Sequence, residues 1–201
     1  MTRHPMISVA EHKRQWRQKI RARDLGDTTP LNARIKSHAL ALLAGLPIQD
    51  KAIIGAYSPI TGEVDCQPIL AALPHAMPMG VTTALPVVMA KDAPLRYRAW
   101  SVGEPLVAGL FDIPVPGDTS PWVHPTILLI PMVGFDRQGY RLGMGGGFYD
   151  RTLALGQPLA SALTIGLAFH GLEIKELPLE VHDRPLDWIV TEEGSMSCGT
   201  R

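Results

Sequence analysis

The segment Arg141-Leu142-Gly143-Met144-Gly145-Gly146-Gly147-Phe148-Tyr149-Asp150 gathers the residue types that a polyphosphate site needs. Four of the five positions 143–147 are glycine, so no Cβ keeps a bulky anion from the backbone. Successive N–H groups in such a turn can converge on phosphate oxygens, and the start of a following helix adds its positive end. Arg141 can grip a phosphate with two parallel donors. Asp150 is a hard oxygen ligand of the kind that holds the magnesium accompanying ATP. A P-loop is excluded because no Gly-Lys pair occurs in the chain, and the dinucleotide fingerprint fails at Phe148, where it needs a third glycine. A purely structural turn stays open, since glycine serves tight turns without any ligand. Such a turn has no need of the flanking Arg141, Asp150 and Arg151.

The elements that must position this loop can be read along the chain. With 201 residues, the length suits one domain with one good core, and 46% apolar with 19% charged residues is ordinary for a globular protein. Formal net charge is zero, yet residues 1–23 hold seven Lys and Arg against the single Glu11. One basic helix on an acidic body fits an anionic small molecule better than nucleic acid, whose binders carry basic domains. No apolar run is long enough to span a membrane, and the Met1–Pro5 start leads into basic sequence without a signal core. Cys66 and Cys198 match no metal spacing and read as free thiols of a cytoplasmic protein.

Ser8 and Glu11 form a capping-box pattern that predicts a helix to about Asp24, with Lys13, Arg17 and Arg21 on one face and Trp16 and Ile20 packing down. A second helix is expected after Pro30, ending near Gly45. Strands are expected at 52–57, 81–85, 95–100, 126–131, 162–168 and 187–191, and helices at 64–73 and from Phe148 to about Leu155. Residues 103–125, rich in proline and glycine, read as a long ordered crossing. The alternation predicts an α/β fold, a three-layer α/β/α sandwich with a mostly parallel central sheet.

The order and spacing of Leu129-Ile130-Pro131, Gly134-Phe135-Asp136, Gly139 and the run from Arg141 to Arg151 closely resemble the 5-formyltetrahydrofolate cyclo-ligase (methenyltetrahydrofolate synthetase) family. The basic helix with Lys13 and Arg17, Tyr57 followed by Glu63-Val64-Asp65, and the tail His182-Asp183-Arg184-Pro185-Leu186-Asp187 resemble it in the same order. Gly109 to Pro114 is similar only loosely. Phe148 stands where the family has tyrosine, Asp112 and Val115 break its Gly-Ile-x-Glu-Pro segment, and His170-Gly171 replaces a more polar one.

The resemblance implies the NagB/RpiA/CoA-transferase-like version of the sandwich, in a single domain over residues 1–201. It implies ATP- and magnesium-dependent closure of 5-formyltetrahydrofolate to the 5,10-methenyl form, with ADP and phosphate released. ATP, accompanied by Mg2+, would meet Lys13, Arg17, Arg141, Leu142, Gly143, Met144, Gly145, Gly146, Gly147, Phe148 and Tyr149 through its nucleotide. Asp150 and Asp183 would stand on the metal side, and Arg141 and Asp150 would be catalytic. The reduced formyl folate, with or without a polyglutamate tail, would meet Tyr57, Glu63, Phe111 and Tyr149. A monomer is expected, with neither nucleic-acid nor membrane partners. Each position also has a plain alternative. Lys13 and Arg17 suit a solvated helix face, Glu63 an exposed loop, Asp183 a turn before Pro185, and Tyr57 and Phe111 a core. His170 and His182 show no partner that would give them a role. A non-catalytic binder of nucleotide or folate, or an ATP-dependent enzyme with another substrate, is compatible with the same residues.

Overall fold

The computed structural model describes residues 8–48, 52–77, 80–154 and 156–199. The Met1–Pro5 start and Leu155 lie outside these described residues, and the helix expected to run from Phe148 to about Leu155 ends earlier, at Thr152. The first helix, α1 (Val9–Arg21), begins where Ser8 Oγ accepts from Glu11 N at 3.2 Å. Only this half of the expected box forms, because the Glu11 carboxylate instead takes two N–H groups of Arg14 at 2.8 Å. The helix stops at Arg21 rather than near Asp24, and Asp24 turns the chain by accepting from Gly26 N. Next come α2 (Thr29–Gly45) and β1 (Ala52–Gly55).

The following helix, α3 (Gln67–Ala76), starts three residues later than the pattern 64–73 predicts. Pro68 explains the shift. It lacks a donor and suits the first turn, where Asp65 Oδ1 accepts from Gln67 N at 3.0 Å. Val64, left outside the helix, is buried in the core.

Strands β2 (Val81–Val87) and β3 (Arg96–Ala99) match expectation. The crossing is ordered, as expected, and has its own structure. It holds a hairpin of β4 (Leu106–Ala108) and β5 (Pro114–Pro116) with a 3-10 turn Leu110–Asp112 at its tip, then β6 (Trp122–Val123). After β7 (Ile127–Pro131) a small hairpin of β8 (Gly134–Phe135) and β9 (Arg141–Leu142) precedes the glycine loop. Helix α4 (Phe148–Thr152) is followed by β10 (Leu163–Leu167), β11 (Trp188–Thr191) and a further strand, β12 (Gly194–Ser197).

These build an eight-stranded sheet in the order β12-β11-β10-β7-β1-β2-β3-β6. Its middle, from β11 to β2, is parallel, and β12, β3 and β6 join antiparallel at the edges. The fold is therefore mixed α/β on a large, mostly parallel sheet, as the alternation predicts. Along β7 the side chains alternate between two cores. Ile127 and Leu129 join the core that includes Ile20, Ile35, Leu43, Ile69 and Leu73 of α1, α2 and α3. Leu128 and Ile130 join the other, with Leu153 and Leu159. The layer on this second face is thin, with the five-residue α4 and turns in place of long helices. Among the described residues, no helix is long and apolar enough to cross a membrane.

Candidate active site

A cleft of about 700 Å³ opens where β1, β2 and β7 end. Parallel strands leave their carboxyl ends free for the loops that carry function, and each of these strands delivers one. Tyr57 and Glu63 follow β1, Val88 and Lys91 follow β2, and Pro131 and Val133 lead from β7 into the glycine loop. Every residue that the sequence singled out lines this cleft: Lys13, Arg17, Tyr57, Glu63, Phe111, the run from Arg141 to Asp150, and Asp183.

The hairpin before the loop is built by Asp136, whose Oδ1 accepts from Gln138 N and Tyr140 N and whose Oδ2 accepts from Leu177 N. This motif aspartate is 1% exposed and holds the turn. The loop itself uses the conformational freedom of glycine at Gly145 (φ 103°) and Gly147 (φ 66°). Arg17 Nε donates to Gly143 O at 2.8 Å, so α1 is fastened to the loop, and a Cβ on Gly145 would meet the Arg17 guanidinium at 3.4 Å. Burial, and then the charge of Arg21, lower the Arg17 pKa. Arg151 pins the other side by donating to Gly146 O at 2.7 Å and Lys91 O at 3.0 Å. With only five residues, α4 contributes little dipole, and the backbone of the loop is the principal source of N–H groups.

Two of the cations, Lys13 and Arg141, are matched by carboxylates. Lys13 Nζ stands 2.6 Å from Asp183 Oδ2 and 2.9 Å from Glu180 Oε2. Arg141 bonds the Asp150 carboxylate and donates to Arg184 O at 3.1 Å. Lys13 is 8% exposed, so it is no solvated surface lysine. Asp183 also accepts from Glu180 N at 2.7 Å, so the turn role and the cleft role belong to the same side chain. The ligand atoms of Glu180, His182 and Asp183 lie within 4.8 Å of one another. The sequence reading did not single out Glu180 or give His182 a role, and Asp150 is outside this trio. The spacing of Glu180, three residues before Asp183 in one turn, was the available signal.

The rest of the lining includes aromatic rings and a carboxylate. Tyr57 is 3% exposed and its hydroxyl donates to Val64 O at 2.8 Å, so its ring is both core and cleft wall. Phe111 is the reverse, 55% exposed, with φ 61°. Its ring lies 6.1 Å from that of Phe148, which in turn carries the Arg151 guanidinium at 5.1 Å. Glu63 is no exposed loop carboxylate. Burial pushes its pKa up to about 6, against the N–H of Ile60 that one oxygen accepts at 3.1 Å. Burial also raises the Tyr149 phenol, with Tyr97, Glu63 and Tyr57 adding to the rise.

Charged groups held in ion pairs, aromatic rings and the half-buried Glu63 carboxylate line one cleft. The model of the 5-formyltetrahydrofolate cyclo-ligase family matches residues 9–192. The 5-formyltetrahydrofolate cyclo-ligase of Escherichia coli strain K12 is 36% identical over 65% of this chain and 72% of its own. That of Mycolicibacterium smegmatis is 31% identical over 74% and 77%. Among solved structures, the 5,10-methenyltetrahydrofolate synthetase of Aquifex aeolicus superposes with a TM-score of 0.72 at 26% identity, covering 94% of each chain. The motif around the glycine loop, the fold that carries it and a match over nearly the whole length agree: the chain belongs to the 5-formyltetrahydrofolate cyclo-ligase family.

Proposed function

We propose that the protein is a 5-formyltetrahydrofolate cyclo-ligase that spends ATP, with magnesium, to make 5,10-methenyltetrahydrofolate, ADP and phosphate. The observation that carries the reading is the convergence on one cleft of α1, the loop after β1, the glycine loop and the turn at Glu180–Asp183. These lie far apart in sequence, and each brings residues of the family's motif.

In this reading the triphosphate lies along the glycine loop, with Arg17 and Arg141 beside it and Lys13 at its far end. Asp150 and Asp183 would hold the metal, and the clustered oxygens of Glu180 and Asp183 are the hard donors that magnesium prefers. Bound there, the metal would neutralise phosphate charge. The folate lies against Tyr57, Phe111 and Tyr149, with Glu63 accepting from the pterin N–H groups. The formyl oxygen attacks the γ-phosphorus and ADP leaves. The N10 lone pair then adds to the formyl carbon, phosphate departs as the C–O bond breaks, and N10 gives up its proton. Phosphoryl transfer needs alignment and charge neutralisation more than covalent help, and the fastened loop would supply the first and Arg17, bonded to the Gly143 carbonyl, part of the second.

Omission experiments test this directly. With 5-formyltetrahydrofolate present, leaving out ATP or chelating magnesium should each abolish the methenyl product. Product formation without ATP would sink the reading, and so would ATP hydrolysis that is indifferent to the folate.

A further inference from the structure

Two guanidiniums hold carbonyls of the glycine loop. Arg17 Nε donates to Gly143 O at 2.8 Å, and Arg151 Nη2 donates to Gly146 O at 2.7 Å. In a planar trans peptide the C=O and the following N–H point in opposite directions. The two bonds therefore fix the N–H groups of Met144 and Gly147, which have no hydrogen-bond partner of their own among the described residues. Arg151 is firmly seated for this. The same Nη2 donates to Lys91 O at 3.0 Å, so one nitrogen ties the loop after β2 to the glycine loop. Its neighbour Thr152, 1% exposed, accepts from Leu95 N at 2.8 Å and donates to Phe148 O at 2.7 Å, which anchors the short α4. A Cβ on Gly147 would lie 2.8 Å from Arg151 Nη1, so the guanidinium requires glycine there as much as the φ of 66° does. Among the described residues Arg151 forms no ion pair. Its hydrogen bonds go to neutral carbonyls, and its charge stays uncompensated beside the cleft that it lines.

We propose that Arg151 is a positioning residue for the nucleotide. By holding Gly146 O it presents the Gly147 N–H to a phosphate oxygen, as Arg17 presents the Met144 N–H through Gly143 O. Glycine peptides turn over easily, and a carbonyl turned towards the phosphates would repel them. The hold on Gly146 removes that conformation before the nucleotide arrives, so less order is lost on binding. The proposal rests on the placement of the triphosphate along this loop.

The test compares the parent with Arg151→Met and Arg151→Lys. It uses calorimetric titration with magnesium and the β,γ-imido analogue of ATP, separate KM values for ATP and 5-formyltetrahydrofolate, and thermal melting. Methionine keeps an unbranched stem near the Phe148 ring and removes the donors. Its Kd for the analogue and its KM for ATP should rise about tenfold, the value of one hydrogen bond to a charged group, while the folate KM stays within about twofold. Lysine keeps the charge on a shorter stem without the planar fork, and should lie within about threefold of the methionine variant. Should Arg151→Met fail to fold, Arg151→Lys decides alone, by a raised analogue Kd beside a parental folate KM. A parental affinity in Arg151→Lys would show that charge alone suffices and overturn the proposal. So would ATP and folate KM values that rise together with a lowered melting temperature, since Arg151 would then be a structural tie. An analogue Kd in Arg151→Met equal to the parent's would overturn it as well. A parent that does not bind the analogue would overturn the placement of the nucleotide, and the proposal with it.

Discussion

Lys13 Nζ and Asp183 Oδ2 meet at 2.6 Å although 170 residues separate them in the chain. Both side chains are nearly buried, at 10% and 12% exposure, so the contact ties the first helix to the last turn of the site. Breaking a buried pair from one side strands the other charge, which typically costs about 3–5 kcal/mol. Lys13→Ala, which strands both Asp183 and Glu180, should lose stability near that range in urea unfolding. Asp183→Asn should lose less, because Lys13 keeps Glu180 at 2.9 Å. Both should weaken ATP binding. Equal and negligible stability losses would show the pair to be a surface contact.

Asp150 faces Arg141, which also has Arg184 O at 3.1 Å as a second anchor. Asp150→Ala should therefore stay folded but melt lower than the parent, because it strands Arg141, whose side chain is 6% exposed. Turnover should fall about 100-fold or more, the usual size of losing one electrostatic partner of the transition state, and added magnesium should restore little of it. A rate equal to the parent would remove Asp150 from the site.

Glu63 gives a pH dependence with a definite sign. Its folded pKa, about 6, lies above the ordinary 4.5, so folding takes up a proton. The associated stability is fully present below pH 4.5 and is lost as pH rises through about 6. Glu63→Gln should thus melt higher than the parent at pH 7.5 and lose that advantage by pH 4.5. If the carboxylate binds folate, kcat/KM for folate in the parent should fall below pH 6, and the variant should be low and flat. A parental pH profile in Glu63→Gln would contradict both assignments.

The sheet was legible because its strands are short apolar runs with turn signals between them, as at Ile127–Pro131. Turn chemistry and edges were harder. Pro68 moved the start of α3, and β12 has the plain sequence Gly194-Ser195-Met196-Ser197, which pairs only because β11 offers an edge. In the site, the glycine loop announces itself by composition, whereas Glu180 offers only its spacing from Asp183 and gains meaning from Lys13, far away in the chain. Exposure could not be read either: Tyr57 and Phe111 looked alike as aromatics, and one is core wall while the other stands at the cleft rim with a left-handed backbone.

The most direct measurement is a single assay with purified protein, ATP, magnesium and 5-formyltetrahydrofolate, following methenyl absorbance in the near ultraviolet and ADP in the same sample. The account predicts that the absorbance rises and that one ADP appears for each methenyl product. No rise in absorbance by a folded protein that binds ATP would contradict it, and would assign the cleft to a different substrate.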